Sequence, residues 1–275
     1  MIEAKLKLWR TLSIATLATT GAFSLAGCEG EAGEQGAAQH GEAGEAAAPA
    51  ASGEAGEAAL GEAGGEHGEA GTAGAYAGVE GSARTALRIQ HLRGFLLVAR
   101  ETPDSAEAGA LVSQGLLEVY EPARAQFGTL DAALVRAAGL EALDGADRAR
   151  ATQRIDAALA ALDRAQGPVG AGAADLTARM LDIATGLYAS VNGPDGIDAV
   201  EYQHSFGAAL AARDALRRGE RALRAANAAR YAEALSEVDR FVALWPAPTA
   251  PDTPATLAQV SAQAARVRLA LSAFL

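Results

Sequence analysis

Apolar residues return every three or four positions through nearly all of residues 81–275, in runs rich in Ala, Leu and Arg, and no alternating β-branched run interrupts them. That period lays an apolar stripe along an α-helix. The pattern predicts a first helix over Ser82–Glu101, with Thr102-Pro103 starting a second that continues to about Phe127 and is kinked by Pro122. Thr129 caps a third helix ending near Leu143, and a fourth spans Ala146–Gln166. The Gly167–Gly172 break, with Pro168 inside it, separates two halves, about 81–167 and 173–275. A fifth helix covers Ala174–Val191 and stops at Asn192-Gly193-Pro194-Asp195-Gly196; a sixth runs from Ile197 to Leu223. Asn227 caps a seventh that reaches Leu244, and the proline-rich Trp245–Pro254 loop leads to an eighth, Pro254–Phe274. The expected fold is all-α: two related up-and-down antiparallel bundles packed together.

A repeat supports the division into halves. Gln90–Glu101, QHLRGFLLVARE, recurs without a gap as Gln203–Asp214, QHSFGAALAARD. Gln90/Gln203, His91/His204, Gly94/Gly207, Leu97/Leu210, Ala99/Ala212 and Arg100/Arg213 are identical pairs, and Glu101/Asp214 closes each copy with a carboxylate. The sequence has four histidines, and the two in the helical part occupy the same slot of this repeat. On a helix His91 shares a face with Leu87, Gly94, Phe95 and Val98, and His204 with Val200, Gly207, Ala208 and Ala211. Both imidazoles therefore point inward, each with a glycine one turn on that lets another helix come close.

The first residues have a different character. Lys5, Lys7 and Arg10 precede a short apolar stretch, Leu12–Leu25, ending in Leu25-Ala26-Gly27-Cys28 with the only cysteine of the chain. This is the pattern of a secretory signal peptide, residues 1–27, too short to span a bilayer. Its last four residues resemble the bacterial lipobox, in which the cysteine is lipidated and becomes the first mature residue. That resemblance implies a membrane partner reached through Cys28. Glu29 follows it, so the aspartate that retains enteric lipoproteins at the inner membrane is absent, which favours the outer membrane. Residues 28–80 are mostly Gly, Ala and Glu, with eleven acids and no Lys or Arg. Such a composition cannot bury enough apolar surface to offset chain entropy, and reads as a disordered tether or a weak cation collector using its glutamates, His40 and His67. The chain's net charge of −11 is almost wholly this tail's: from Gly81 on there are 22 acids against 20 bases, all of them arginine. No basic face is offered to nucleic acid.

For chemistry, Glu201 and His204 stand i, i+3 on one helical face, the spacing of Glu-x-x-His pairs in bundle metal sites. The first copy has Arg88 in place of that carboxylate, so a symmetric di-metal site is incomplete. A mononuclear site from Glu201, His204, Asp198 and His91, with Glu118 and Glu121 as further candidate oxygens, would suit iron, manganese or zinc. The competing assignment makes each histidine a neutral core group with a hydrogen-bond partner. No nucleophile elbow, phosphate loop or CxxC pair is present.

The segment Gly196-Ile197-Asp198-Ala199-Val200-Glu201-Tyr202 resembles the G-x-H-x-x-E signature of imelysin-like periplasmic proteins, which are duplicated helical bundles. Asp198 stands where that family has histidine, a change that disfavours a peptidase zinc site. The resemblance implies an exported, often lipid-anchored protein associated with iron uptake, its motif suspected of holding metal. The expectation is thus a non-enzymatic, lipid-anchored helical protein facing the periplasm that binds a transition metal; the alternative is a metal-free scaffold for a periplasmic protein partner. A degenerate metallopeptidase comes third.

Overall fold

The structure is a computed structural model that describes residues 69–193 and 196–275. Among these residues the chain forms nine α-helices: α1 (Glu69–Tyr76), α2 (Gly81–Glu101), α3 (Ser105–Gly115), α4 (Ala132–Leu143), α5 (Arg148–Gln166), α6 (Ala173–Tyr188), α7 (Ala199–Arg218), α8 (Glu220–Val242) and α9 (Leu257–Leu271). Strands β1 (Asn192–Gly193) and β2 (Gly196–Ile197) pair antiparallel ahead of α7. The all-α expectation holds.

Helix starts follow aspartate more than the threonines the sequence suggested. Asp104, Asp131 and Asp147 accept backbone hydrogen bonds from Glu107, Leu134 and Arg150 and begin α3, α4 and α5. A carboxylate at that position satisfies an orphan donor and also meets the positive end of the helix dipole, which a hydroxyl does not. Thr102 instead closes α2, its hydroxyl donating to the carbonyl of Val98 at 2.8 Å. Asn227 does cap as expected: its backbone leaves the helical region inside α8, and its side chain accepts from the Arg230 amide at 3.1 Å. Thr256 and Gln259 form a reciprocal capping box at the start of α9.

Helices α2 to α5 pack as one four-helix ring and α6 to α9 as a second, the rings meeting mainly where α2 crosses α7. Both lie within one compact unit. The crossing point is Gly94 against Gly207. A Cβ placed on Gly94 would fall 2.8 Å from the Gly207 carbonyl oxygen, and one on Gly207 would fall 2.7 Å from that of Gly94. The contact is reciprocal, as a local twofold axis through the two repeat copies requires. Alanines at 99, 208, 209, 211 and 212 surround it, all buried. Further out the second ring is filled by aromatics: Trp245 stacks on Phe206, meets Tyr188 and Phe241 edge-on, and donates its indole N–H to Ser205 Oγ at 3.0 Å.

One expected boundary moves. Composition places residues 69–80 in the tether, yet α1 packs along α6, burying Ala75 and, just beyond the helix, Val79, while Tyr76 reaches His91. Among the described residues the helical body therefore reaches back to Glu69. The rest of the expected tether and the expected signal peptide lie outside the described residues.

Gly94→Ala is expected to lower stability by about 1–3 kcal/mol through overpacking at the crossing, outweighing the roughly 1 kcal/mol that alanine contributes to helix propensity. Gly172→Ala, where an added Cβ meets nothing within 4 Å, is the control and should not destabilise. Thermal or urea melts decide both. A chain lacking residues 1–68 should melt like the parent, whereas one lacking 1–80 should melt lower, because only the second deletion strips Tyr76 and Val79 from the body.

Candidate functional site

The sequence candidates gather where the start of α7 faces the end of α3. Regular helix fails just after Gly115. Leu116–Tyr120 is a π-turn, followed by a 3-10 turn over Glu121–Gln126. Pro122 supplies the reason: it has no amide hydrogen, and its ring would strike the Glu118 carbonyl in a continuous α-helix. The widened turn puts Glu118 opposite His204, with Glu118 Oε2 4.0 Å from His204 Nδ1. Gln114, at the end of α3, places its carbonyl oxygen 3.2 Å from His204 Nε2. Glu201, one turn before His204, has a buried Oε2 with no hydrogen-bond partner.

Phe95 separates this group from the other histidine. Its ring meets His204 edge-on at 4.9 Å between centroids and His91 at 5.6 Å. Gly115 makes room for it, since a Cβ there would lie 2.7 Å from Phe95 Cβ. Beyond Phe95, His91 Nδ1 is 3.2 Å from the Tyr76 hydroxyl, over whose ring the Arg88 guanidinium sits.

Burial sets the charges. Both histidines are only 8% exposed. Desolvation holds His204 down at about 4, against a pull upward from Asp198. It holds His91 down at about 3, helped by His204 and Arg88. Both are therefore neutral at pH 7. Glu118 leaves half of its side chain exposed, yet desolvation of the rest and the charge of Glu201 push it up to about 7, and desolvation and Asp198 push Glu201 upward as well. Two carboxylates reluctant to ionise thus stand beside a neutral imidazole.

The expected metal ligands are brought together only in part. Glu118, Glu201 and His204 share this place. Asp198 is the N-cap of α7 and accepts from the amides of Val200 and Glu201 at 2.9 and 3.1 Å, so the D-x-x-E spacing is that of a helix start. His91 lies behind Phe95. Glu121 turns the other way, to an ion pair with Arg124 and one with Arg136 at 3.1 Å. Among the described residues no three His, Cys, Asp or Glu side chains group closely enough to hold a metal ion. Cys28, His40 and His67 lie outside the described residues. The sequence gives no sign of Gln114 or Tyr76 and shows Phe95 only as an apolar neighbour on the face of His91; the Glu118–Pro122 spacing is the one sign that the helix must open there.

No protein-family model matches the chain, and neither a curated protein nor a solved structure does. The likeness to imelysin-like proteins rests on the residues quoted for it.

The Glu118 carboxyl should make stability depend on pH. A native pKa of about 7, above the ordinary 4.5, means that its contribution is full at low pH and is lost as pH rises towards 7. Glu118→Gln keeps the shape without the charge. Its melting temperature relative to wild type should therefore be higher at pH 8 than at pH 5; an unchanged difference between the two would show that Glu118 titrates as an ordinary surface acid.

Proposed function

We propose that the chain is an exported lipoprotein, anchored through Cys28, whose helical body is a non-catalytic binding module or scaffold facing the periplasm. The observation that carries this is Leu25-Ala26-Gly27-Cys28 closing a basic-then-apolar leader and holding the sole cysteine. The acidic stretch after it, without a base until Arg84, would be repelled by an anionic membrane surface and keep the body at a distance. No helix among the described residues is long and apolar enough to cross a membrane. The outer membrane is the favoured location, on Glu29.

The non-catalytic reading draws on the repeat histidines. Each is neutral, buried and held by a neighbouring polar side chain, which is how a core histidine is satisfied. A second reading, transition-metal binding in iron handling, is favoured by Glu118 on the Nδ1 side of His204 and by Glu201 one turn earlier on α7, with its Oε2 unpartnered. It needs the carboxylates to close on the imidazole when the ion arrives. The imelysin-like resemblance and the two four-helix rings support this second reading and the exported location together.

Cys28→Ala should leave the protein in the soluble periplasmic fraction or as an uncleaved precursor; membrane association of correctly cleaved variant would overturn the anchor. Metal is tested separately by melting the protein with Fe²⁺, Mn²⁺ or Zn²⁺ and with chelator. A ligand at a hundredfold excess over Kd stabilises by about 2.7 kcal/mol, and His204→Gln should remove that gain if the ion binds here. Equal curves with metal and with chelator leave the scaffold.

A further inference from the structure

The repeat carries a second feature, away from the histidines. Past the Gly94–Gly207 contact the C-terminal parts of α2 and α7 enclose a cleft of about 180 Å³. Three repeat pairs line it, Leu97/Leu210, Arg100/Arg213 and Glu101/Asp214, joined by Arg217. Apart from Glu101, these charges pair with groups on other helices. Asp214 turns inward, both its oxygens taken by Arg93 at 2.9 and 3.1 Å. Arg100 reaches out to Asp156 at 3.0 Å. Arg217 holds Asp239 at 3.2 Å, leaving Arg213 with the same carboxylate oxygen at 3.9 Å, beyond hydrogen-bond reach.

Arg213 is thus the unusual group. Its side chain is 29% exposed, and among the described residues it makes no hydrogen bond. Its guanidinium has five donors in a planar fork that matches a carboxylate. Burial, followed by the neighbouring Arg217 charge, presses its pKa down, against an upward pull from Asp239, Glu101 and Asp214. Glu101 stands exposed at the same cleft and forms no ion pair among the described residues. It would repel a dianion. Leu97 and Leu210 add apolar wall, with Leu210 buried.

We infer that this cleft binds a small monocarboxylate bearing a short apolar group, its carboxylate received by Arg213 and Arg217 and its apolar group resting on Leu97 and Leu210. An α-amino acid belongs to this class, its ammonium facing Glu101. The cleft is small beside ordinary ligand pockets of roughly 300–1,000 Å³, which limits the ligand to a few carbon atoms beyond the carboxylate.

The test is calorimetric titration of the purified full chain with isovalerate, L-leucine and inorganic phosphate. Isovalerate or leucine should bind saturably, and Arg213→Gln should weaken that binding about tenfold or more, as expected for loss of a charge-assisted fork. Arg217→Gln is run beside it, with circular dichroism to show that each variant is folded; if Arg213→Gln fails to fold, the loss in Arg217→Gln decides. Tighter binding of leucine than of isovalerate, lost in Glu101→Gln, supports the class and places the ammonium. Binding of phosphate alone, binding of isovalerate and leucine that both arginine variants retain, or no heat with any of the three overturns the inference. None of these outcomes depends on the Cys28 anchor or on metal, so failure here leaves the proposed function to its own tests.

Discussion

Two backbones touch at Gly94 and Gly207, and much of the molecule is arranged around that contact. No residue with a side chain fits there, because each glycine meets the other's carbonyl where a Cβ would stand. Once the helices approach so closely, few side-chain atoms remain between them to hold the crossing by dispersion. Polar groups just outside do that. Arg93, 4% exposed, forks onto Asp214, donates to Asp163 at 2.8 Å and to the Leu159 carbonyl at 3.2 Å, and so ties α2 to α5 and α7 together. Gln90 adds bonds to Asp214 and to the carbonyl of Ala211. A buried guanidinium is expensive to desolvate and stabilises little on balance, but a wrong register would leave it unpaired at several kcal/mol. The network makes this crossing the favoured one among the many that alanine-rich helices would otherwise accept.

The same contact accounts for where polarity collects. His91 and His204 precede their glycines by three residues, so the close approach draws both imidazoles towards the joint, and Phe95 fills the space between them. Leu97, Arg100 and Glu101 follow Gly94 as Leu210, Arg213 and Asp214 follow Gly207, and these line the cleft on the other side. One sequence motif thus supplies two chemically unlike surroundings: a dry aromatic row and a wet charged recess.

How much of this was legible depends on the physical origin of each feature. Helix spans came through well, since burial of an apolar stripe is written at a fixed period, and α2, α5 and α7 begin or end within a few residues of their expected limits. Caps came through less well: Thr102 and Asp104 are equally good starts on paper, and only the tertiary course of the chain chooses between them. The first helix was missed because Glu69–Tyr76, EAGTAGAY, has the composition of a tether and gains its stability from packing on α6, which no local pattern records. At the site, Glu201 and His204 were found by their spacing along one helix, and Glu118 by being a carboxylate on a neighbouring one. Asp198 misled because a helix cap and a metal ligand ask for the same residue. Gln114 and Tyr76 reach the histidines across 90 and 15 residues of sequence, and such pairings are decided by the fold alone.

A reciprocal crossing at one residue is the geometry of an isologous interface, in which a patch meets its own copy. Two separate polypeptides meeting in this way must carry the same residue at both places, and every substitution is made twice. Joined in a single chain, the partners of the pair are released from that identity. The two copies differ accordingly: Phe95 answers Ala208, Arg93 answers Phe206, and Arg88 answers Glu201, so that a carboxylate stands one turn before His204 where an arginine stands before His91, and one phenylalanine serves both imidazoles. Gly94 and Gly207, His91 and His204, and Arg100 and Arg213 remain matched. The differences gather around a shared crossing, and the two histidines end up with chemically unlike neighbours, a tyrosine hydroxyl for one and a side-chain amide for the other.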